Sequence, residues 1–275
     1  MTDHYFDHPL AKIHFYKYGK GDKHILCFHG YGMHGKQFKV LEKELGNTYT
    51  FYGFDLFFHK ETLLKQQNLA DIKKGISKKA LSNIFIDFCD ENQIQKFSLL
   101  SYSMGSHYAA SLIEEIPHRI NEFIAIAPST LKPGRLVSFL STKIIGNKIL
   151  EKLSLSKNGM LGLLQLIKTI KIIDHKAYNI LYKEIATYEL RFAFYASTTY
   201  LKQLKLNRSK FVSNLNNHQI KSIFIFGTRD RNYPVKIGSK IIPKINNAKQ
   251  LVLDENHEMI NDNFSAQLTK MLNDN

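Results

Sequence analysis

Three stretches of this chain carry residue types that, held together, can move a proton and attack an electrophilic carbon. SYSMGS (101–106) places serines at the seam between an apolar run and a helix-like segment; GTRDRNYP (227–234) holds Asp230; NHEM (256–259) holds His257. A hydroxyl is a weak nucleophile at neutral pH and needs a base within hydrogen-bond reach. An imidazole suits the shuttling of one proton, and a carboxylate can orient it. Ser101 is the last in-strand position, Ser103 stands at the seam and Ser106 falls inside the helix. Each residue also has a plainer reading: Ser103 as a helix cap, Asp230 as a turn former, His257 as a surface residue at a helix start. Asp254 is a rival acid that ends its strand. A fourth stretch, HGYGMHG (29–35), is a Gly-rich turn.

These stretches all follow apolar runs. HILCFHG (24–30), TFYGFD (50–55), FSLLSYS (97–103), NEFIAIAP (121–128), KSIFIFG (221–227) and LVLD (251–254) have the length and composition of buried parallel strands. Between them, 69–92 has the three- and four-residue apolar spacing of one surface helix, and 105–117 reads as a helix stopped by Pro117. Strand–helix alternation predicts an α/β fold, a mostly parallel central sheet with helices on both faces. The alternation breaks after Pro128, where nearly ninety residues carry a helical pattern. The expected organisation is a core domain of residues 1–129 and 218–275 with a helical cap inserted at 130–217. In an open parallel sheet, ligands bind beyond the carboxyl ends of the strands, so the four chemical stretches are expected to converge there.

Composition bounds the rest. With 275 residues, 44% of them hydrophobic, the chain can build a sizeable core. Its two cysteines, Cys27 and Cys89, read as buried thiols, with no disulfide framework or cysteine zinc spacing. MTDHYFDHPLAKIHF shows no apolar leader, and no eighteen-residue apolar run occurs, so a cytoplasmic protein is expected. The net charge is +14, and the stretch from Leu131 to Asn217 holds 15 Lys and Arg against four acids. A basic surface draws anionic partners. No nucleic-acid motif accompanies the charge, so no nucleic-acid partner is expected. KTIKIID (168–174) can be read as a basic amphipathic helix on a membrane surface, and more plainly as part of a solvated basic face.

In the order HGYG, SYSMGS, GTRDRNYP, NHEM, the chain resembles the α/β-hydrolase superfamily over roughly residues 22–130 and 218–272, with the chain order Ser…Asp…His of that superfamily. The departure is Ser101, which stands where the elbow pattern has its first glycine. The resemblance implies Ser103 as nucleophile, His257 as general base and Asp230 as its orienter. The loop APSTLKPG carries no carboxylate to compete with Asp230. It implies an oxyanion hole from the N–H groups of Tyr31 and Met104, a substrate pocket near His29, Tyr102, Phe57 and Phe58, and a cap that shapes it. FDLFFHKE (54–61) is similar to the superfamily's D-x-P-G-x-G loop with Phe57 and Phe58 replacing Pro and Gly; Asp55 and His59 are expected to be structural. The activity implied is hydrolysis of a carboxylic ester or thioester by a serine hydrolase without metal or cofactor. The basic face of the cap is read plainly as solvated surface; as the rim of an acyl pocket it would suit an acyl compound with an anionic leaving group or acidic carrier. Other chemistry on the same fold (a C–C bond hydrolase, a lyase, a peptidase) and a non-catalytic binding or sensor module stand as alternatives.

Overall fold

In the computed structural model, residues 1–156, 158–171 and 174–273 are described. The strands are β1 (Thr2–His8), β2 (Ala11–Tyr18), β3 (Lys23–Phe28), β4 (Tyr49–Phe54), the two-residue β5 (Leu63–Leu64), β6 (Phe97–Tyr102), β7 (Ile120–Ile126), β8 (Lys221–Gly227) and β9 (Ala248–Leu253). They form one sheet in the order β1-β2-β4-β3-β6-β7-β8-β9, with β5 pairing β2. Every neighbour from β4 to β9 is parallel; β1, β5 and β4 run antiparallel to β2. The expected mostly parallel sheet is therefore present, and all six expected strands fall in it. The antiparallel β1–β2 hairpin was not anticipated. Its residues alternate between polar and apolar, and most of β1 is exposed, so neither strand reads as a buried apolar run.

The helices are α1 (Glu42–Leu45), α2 (Leu69–Lys74), α3 (Lys78–Glu91), α4 (Ser106–Glu115), α5 (Arg135–Thr142), α6 (Ile144–Leu155), α7 (Gly159–Thr169), α8 (His175–Ile185), α9 (Tyr188–Tyr200), α10 (Arg208–Asn217) and α11 (Asp262–Asn273). Strands β3, β4, β6, β7 and β8 are buried on both faces, because successive side chains point to opposite sides and both sides are covered, whereas the edge strand β9, expected to be buried, is buried only at Leu253. On one face Ile25, Cys27, Phe51, Leu100, Ile124 and Ile225 pack with Phe38, Leu45, Phe264 and Leu268 beneath α1 and α11. On the other, Phe28 and Phe54 meet Phe85 of α3 edge-on at 5.0 and 5.1 Å, and Phe123 meets Phe211 of α10 at 5.9 Å.

The chain divides into two compact units, Met1–Gln66 with Ser77–Pro133 and Leu204–Asn275, and Gln67–Ile76 with Gly134–Gln203. This division differs from the sequence boundaries at two places. The helix expected over 69–92 is two helices, because Gly75 takes φ 76° and Ser77 then caps α3 by accepting from Ala80 N. Its first half, α2, belongs with the second unit, where Ile76 N donates to Tyr200 O at 2.9 Å. Conversely, α10 belongs with the sheet. Phe211 and Leu215 are fully buried, and Asn214 donates to the Ile113 carbonyl at 2.9 Å on α4. The second unit is otherwise helices α5 to α9. Of KTIKIID, Ile172 and Ile173 lie outside the described residues, and Lys168 and Thr169 are the last turn of α7.

Candidate active site

The strand order places the site. β3 leads to β4 on one side and β6 to β9 run away on the other, so the direction of winding reverses between β3 and β6. Such a switch point leaves a crevice beyond the strand ends. The loop after β3 and the turn after β6 both open there.

The turn after β6 answers which serine is exceptional. Ser103 sits at φ 47°, a left-handed conformation that costs a non-glycine residue roughly 1 kcal/mol or more and persists only where surroundings enforce it. The enforcement is visible. The Ser103 carbonyl accepts hydroxyl hydrogen bonds from Ser106 at 2.6 Å and Ser129 at 3.0 Å. Gly105 is required because a Cβ there would collide with the Phe28 carbonyl oxygen. Ser106 is fully buried and also accepts from Thr130 N at 3.1 Å. Ser101 is buried inside β6 with its hydroxyl towards the Ile124 carbonyl. Two of the three serines are thus structural, and Ser103 alone stands on the strained turn. Ser129 was not anticipated; a hydroxyl just past a strand end, in APSTLKPG, was its signal.

Asp230 and His257 come together across 27 residues. His257 Nδ1 lies 2.8 Å from Asp230 Oδ2, and Asp230 Oδ1 accepts from Asn232 N at 2.8 Å and Tyr233 N at 2.9 Å. Burial pushes the Asp230 carboxyl up, but the hydrogen bonds from His257 and from the two backbone N–H groups outweigh it, so the acid is held below its ordinary value as a carboxylate. That carboxylate accepts the Nδ1 proton and leaves His257 Nε2 as the nitrogen able to take another. Asp254 is mostly exposed and is held by Arg229 and Thr228 instead.

Tyr102 joins these parts. Its hydroxyl donates to the His257 carbonyl at 2.6 Å, and its ring lies 5.1 Å from the imidazole. A Cβ on Gly30 would come within 2.6 Å of that ring. The residue beside Ser103 therefore contacts both the Gly-rich loop and the histidine loop.

Two neutral histidines fix the Gly-rich loop. Leu56 N–H donates to His29 Nε2 at 3.0 Å, so Nδ1 carries the proton and donates to the Gly30 carbonyl at 2.6 Å. Gly32 N–H donates to His59 Nε2 at 3.1 Å, and His59 Nδ1 donates to the Phe57 carbonyl at 2.9 Å. Burial pushes both imidazoles below their ordinary value. His29 was expected near the substrate pocket. It is instead fully buried with both nitrogens committed to backbone, so it holds the loop and offers no polar atom to a ligand. Phe57 is likewise buried, its ring 5.8 Å from that of Tyr108. Phe58 is half-buried at φ 62°. Tyr31 lies on the loop these histidines hold, its ring 5.3 Å from that of His59, and Met104 is the residue after Ser103 in a short 3-10 turn. Gln37 adds an unanticipated anchor, its side-chain oxygen accepting from Gly30 N at 3.0 Å.

No protein-family model matches the chain, and no curated protein matches it in sequence. Solved structures do. The chain is similar to MGS-M2, an α/β-hydrolase enzyme from a Medee basin deep-sea metagenome library, with a TM-score of 0.71 and 12% identity over 98% of this chain and 97% of that one. It is similar to a thermophilic esterase from Thermogutta terrifontis, with a TM-score of 0.69 and 12% identity over 96% and 92% of the two chains. It is also similar to a meta-cleavage product hydrolase from Pseudomonas fluorescens IP01, with a TM-score of 0.65 and 13% identity over 96% and 95%.

Proposed function

We propose, for a chain that has the α/β-hydrolase fold, that it is a serine hydrolase cleaving a carboxylic ester or thioester through an acyl-enzyme. The observation that carries this reading is the part-buried Asp230–His257 pair at 2.8 Å, whose histidine loop is held by Tyr102, the chain neighbour of a serine at φ 47° on a strained turn. Ser103 Oγ attacks the acyl carbon while His257 Nε2 takes its proton. The Tyr31 and Met104 N–H groups receive the oxyanion. His257 returns the proton to the leaving alcohol or thiol as the C–O or C–S bond breaks. A water that gives its proton to His257 then attacks the acyl-enzyme, and the proton passes to Ser103 Oγ as the acid departs. Asp230 stays ionised throughout and stabilises the imidazolium.

The net charge of +14 supports substrates with an anionic leaving group or acidic carrier. The structural relatives include both an esterase and a meta-cleavage product hydrolase, so the substrate panel has to include C–C bond substrates beside esters, thioesters and amides.

Labelling with a fluorophosphonate serine probe, read by peptide mass mapping, tests the reading. The expected result is a label on Ser103 that is lost in Ser103→Ala. A folded protein that takes no label overturns serine catalysis and favours a binding module, while a label on Ser101 would move the nucleophile.

A further inference from the structure

We propose that helix α6 is a docking face for an anionic lipid surface. Its buried side is Gly146, Leu150 and Ser154, which is enough to seat it. Its other side is not polar. Ile144, Ile145 and Ile149 are 78%, 70% and 45% exposed. At 100° per residue they fall, together with exposed Lys148 and Lys152, within an arc of about 140°. The acid at the edge of that arc, Glu151, is half-buried and neutralised by Lys73 at 2.8 Å. Helix α7, which packs on α6, shows a second exposed stripe of Leu163 and Leu166, continued by Ile170 just past its end, spaced three and four apart.

Exposed large apolar side chains crowd this part of the molecule. Of twenty such residues among the described ones, fourteen belong to the second unit, so the pattern is not the scatter expected of an ordinary surface. A branched aliphatic face interleaved with lysines matches a bilayer chemically. Isoleucines can enter the acyl boundary while lysine stems lie along it and their ammonium groups meet the anionic headgroups. A second copy of this chain is the poorer occupant, because a two-fold contact through this face would bring Lys148 and Lys152 of both copies together. The inference does not depend on the catalytic reading.

The experiment is co-sedimentation of the full chain with phosphatidylcholine vesicles and with phosphatidylcholine–phosphatidylglycerol vesicles, at low and high salt. The expected result is binding to the phosphatidylglycerol vesicles that weakens with salt and is weak on phosphatidylcholine alone. Ile145→Ser with Ile149→Ser should reduce it by at least about tenfold, and Lys148→Gln with Lys152→Gln by roughly thirtyfold at low salt, with unchanged thermal melting in both. No binding overturns the proposal, as does equal, salt-insensitive binding to both vesicle types. A dimer in light scattering that Ile145→Ser with Ile149→Ser abolishes, without vesicle binding, reassigns the face to self-association.

Discussion

Two histidine–aspartate pairs of the first unit have nearly the same length and differ in what surrounds the histidine. His257 Nδ1 and Asp230 Oδ2 are 2.8 Å apart on the loops after β9 and β8; His14 Nδ1 and Asp55 Oδ2 are 2.7 Å apart between β2 and the end of β4. Both aspartates are buried, but the His257 side chain is 26% exposed and that of His14 only 2%. The far nitrogen of His14 faces a second carboxylate, Asp3, at 3.7 Å. Its carboxylate partner also accepts from Gly35 N at 2.7 Å, and Thr62 ties both strands together by donating to the Asp55 carbonyl at 2.6 Å and accepting from His14 N at 3.0 Å. An imidazole enclosed by acids and strands is a clamp. One that is 26% exposed, on a loop held by the chain neighbour of a strained serine, is the candidate for the proton transfer proposed above. The distance alone does not distinguish them; the surroundings of the second nitrogen do.

The comparison predicts opposite phenotypes for matched changes. Asp230→Asn should leave the melting temperature nearly unchanged and lower kcat by about 10⁴-fold on any ester the wild type hydrolyses, because the imidazole loses its orienting charge. Asp55→Asn should do the reverse. It breaks a buried pair and costs about 3–5 kcal/mol in denaturant unfolding, with kcat per folded molecule little changed. Finding both variants equally inactive but stable would sink the distinction.

Acid sharpens it further. His29 and His59 hold a proton less readily in the folded chain than in the unfolded one, where the ordinary value is about 6.5. Buried His107 is shifted the same way. The unfolded state therefore binds more protons below that pH. Their contribution is intact above about pH 6.5 and declines as the pH falls below it, through the folded-state values. Urea midpoints measured from pH 7.5 down to 4.5 should drop accordingly, and His59→Gln should flatten part of that decline. A smaller effect belongs to Tyr102. Tyr102→Phe removes the 2.6 Å hydrogen bond to the His257 carbonyl, worth about 1 kcal/mol, and should lower kcat about fivefold without preventing fluorophosphonate labelling of Ser103. A label lost altogether would assign Tyr102 a direct part in the chemistry.

The strands that lead into the candidate site were legible because parallel strands covered on both faces must be continuous apolar runs, as FSLLSY and KSIFIF are. The loops that follow them were legible because the chemistry concentrates there. The His14–Asp55 clamp was not legible as a pair. Its members are 41 residues apart, and β1 and β2 alternate with exposed polar residues in a way that a short mixed sequence does not separate from loop. The break at Gly75 was hidden for a different reason: the apolar spacing runs through it, and only the left-handed φ and the cap at Ser77 divide the helix. Placing α10 with the sheet depended on Phe211, whose burial against Phe123 is a tertiary fact with no local mark.

That break at Gly75 bears on how this chain could be rebuilt. The second unit is assembled from two separate insertions, the ten residues Gln67–Ile76 and the longer Gly134–Gln203. Lys202 donates to the Lys73 carbonyl and Gln203 to that of Lys74, stitching the short piece to the long one. Grafting a helical segment from another chain of this fold at a single site, as a modular exchange would, leaves α2 without the partners that bury Ile72. A workable chimaera has to exchange both pieces together, through two coordinated cuts rather than one.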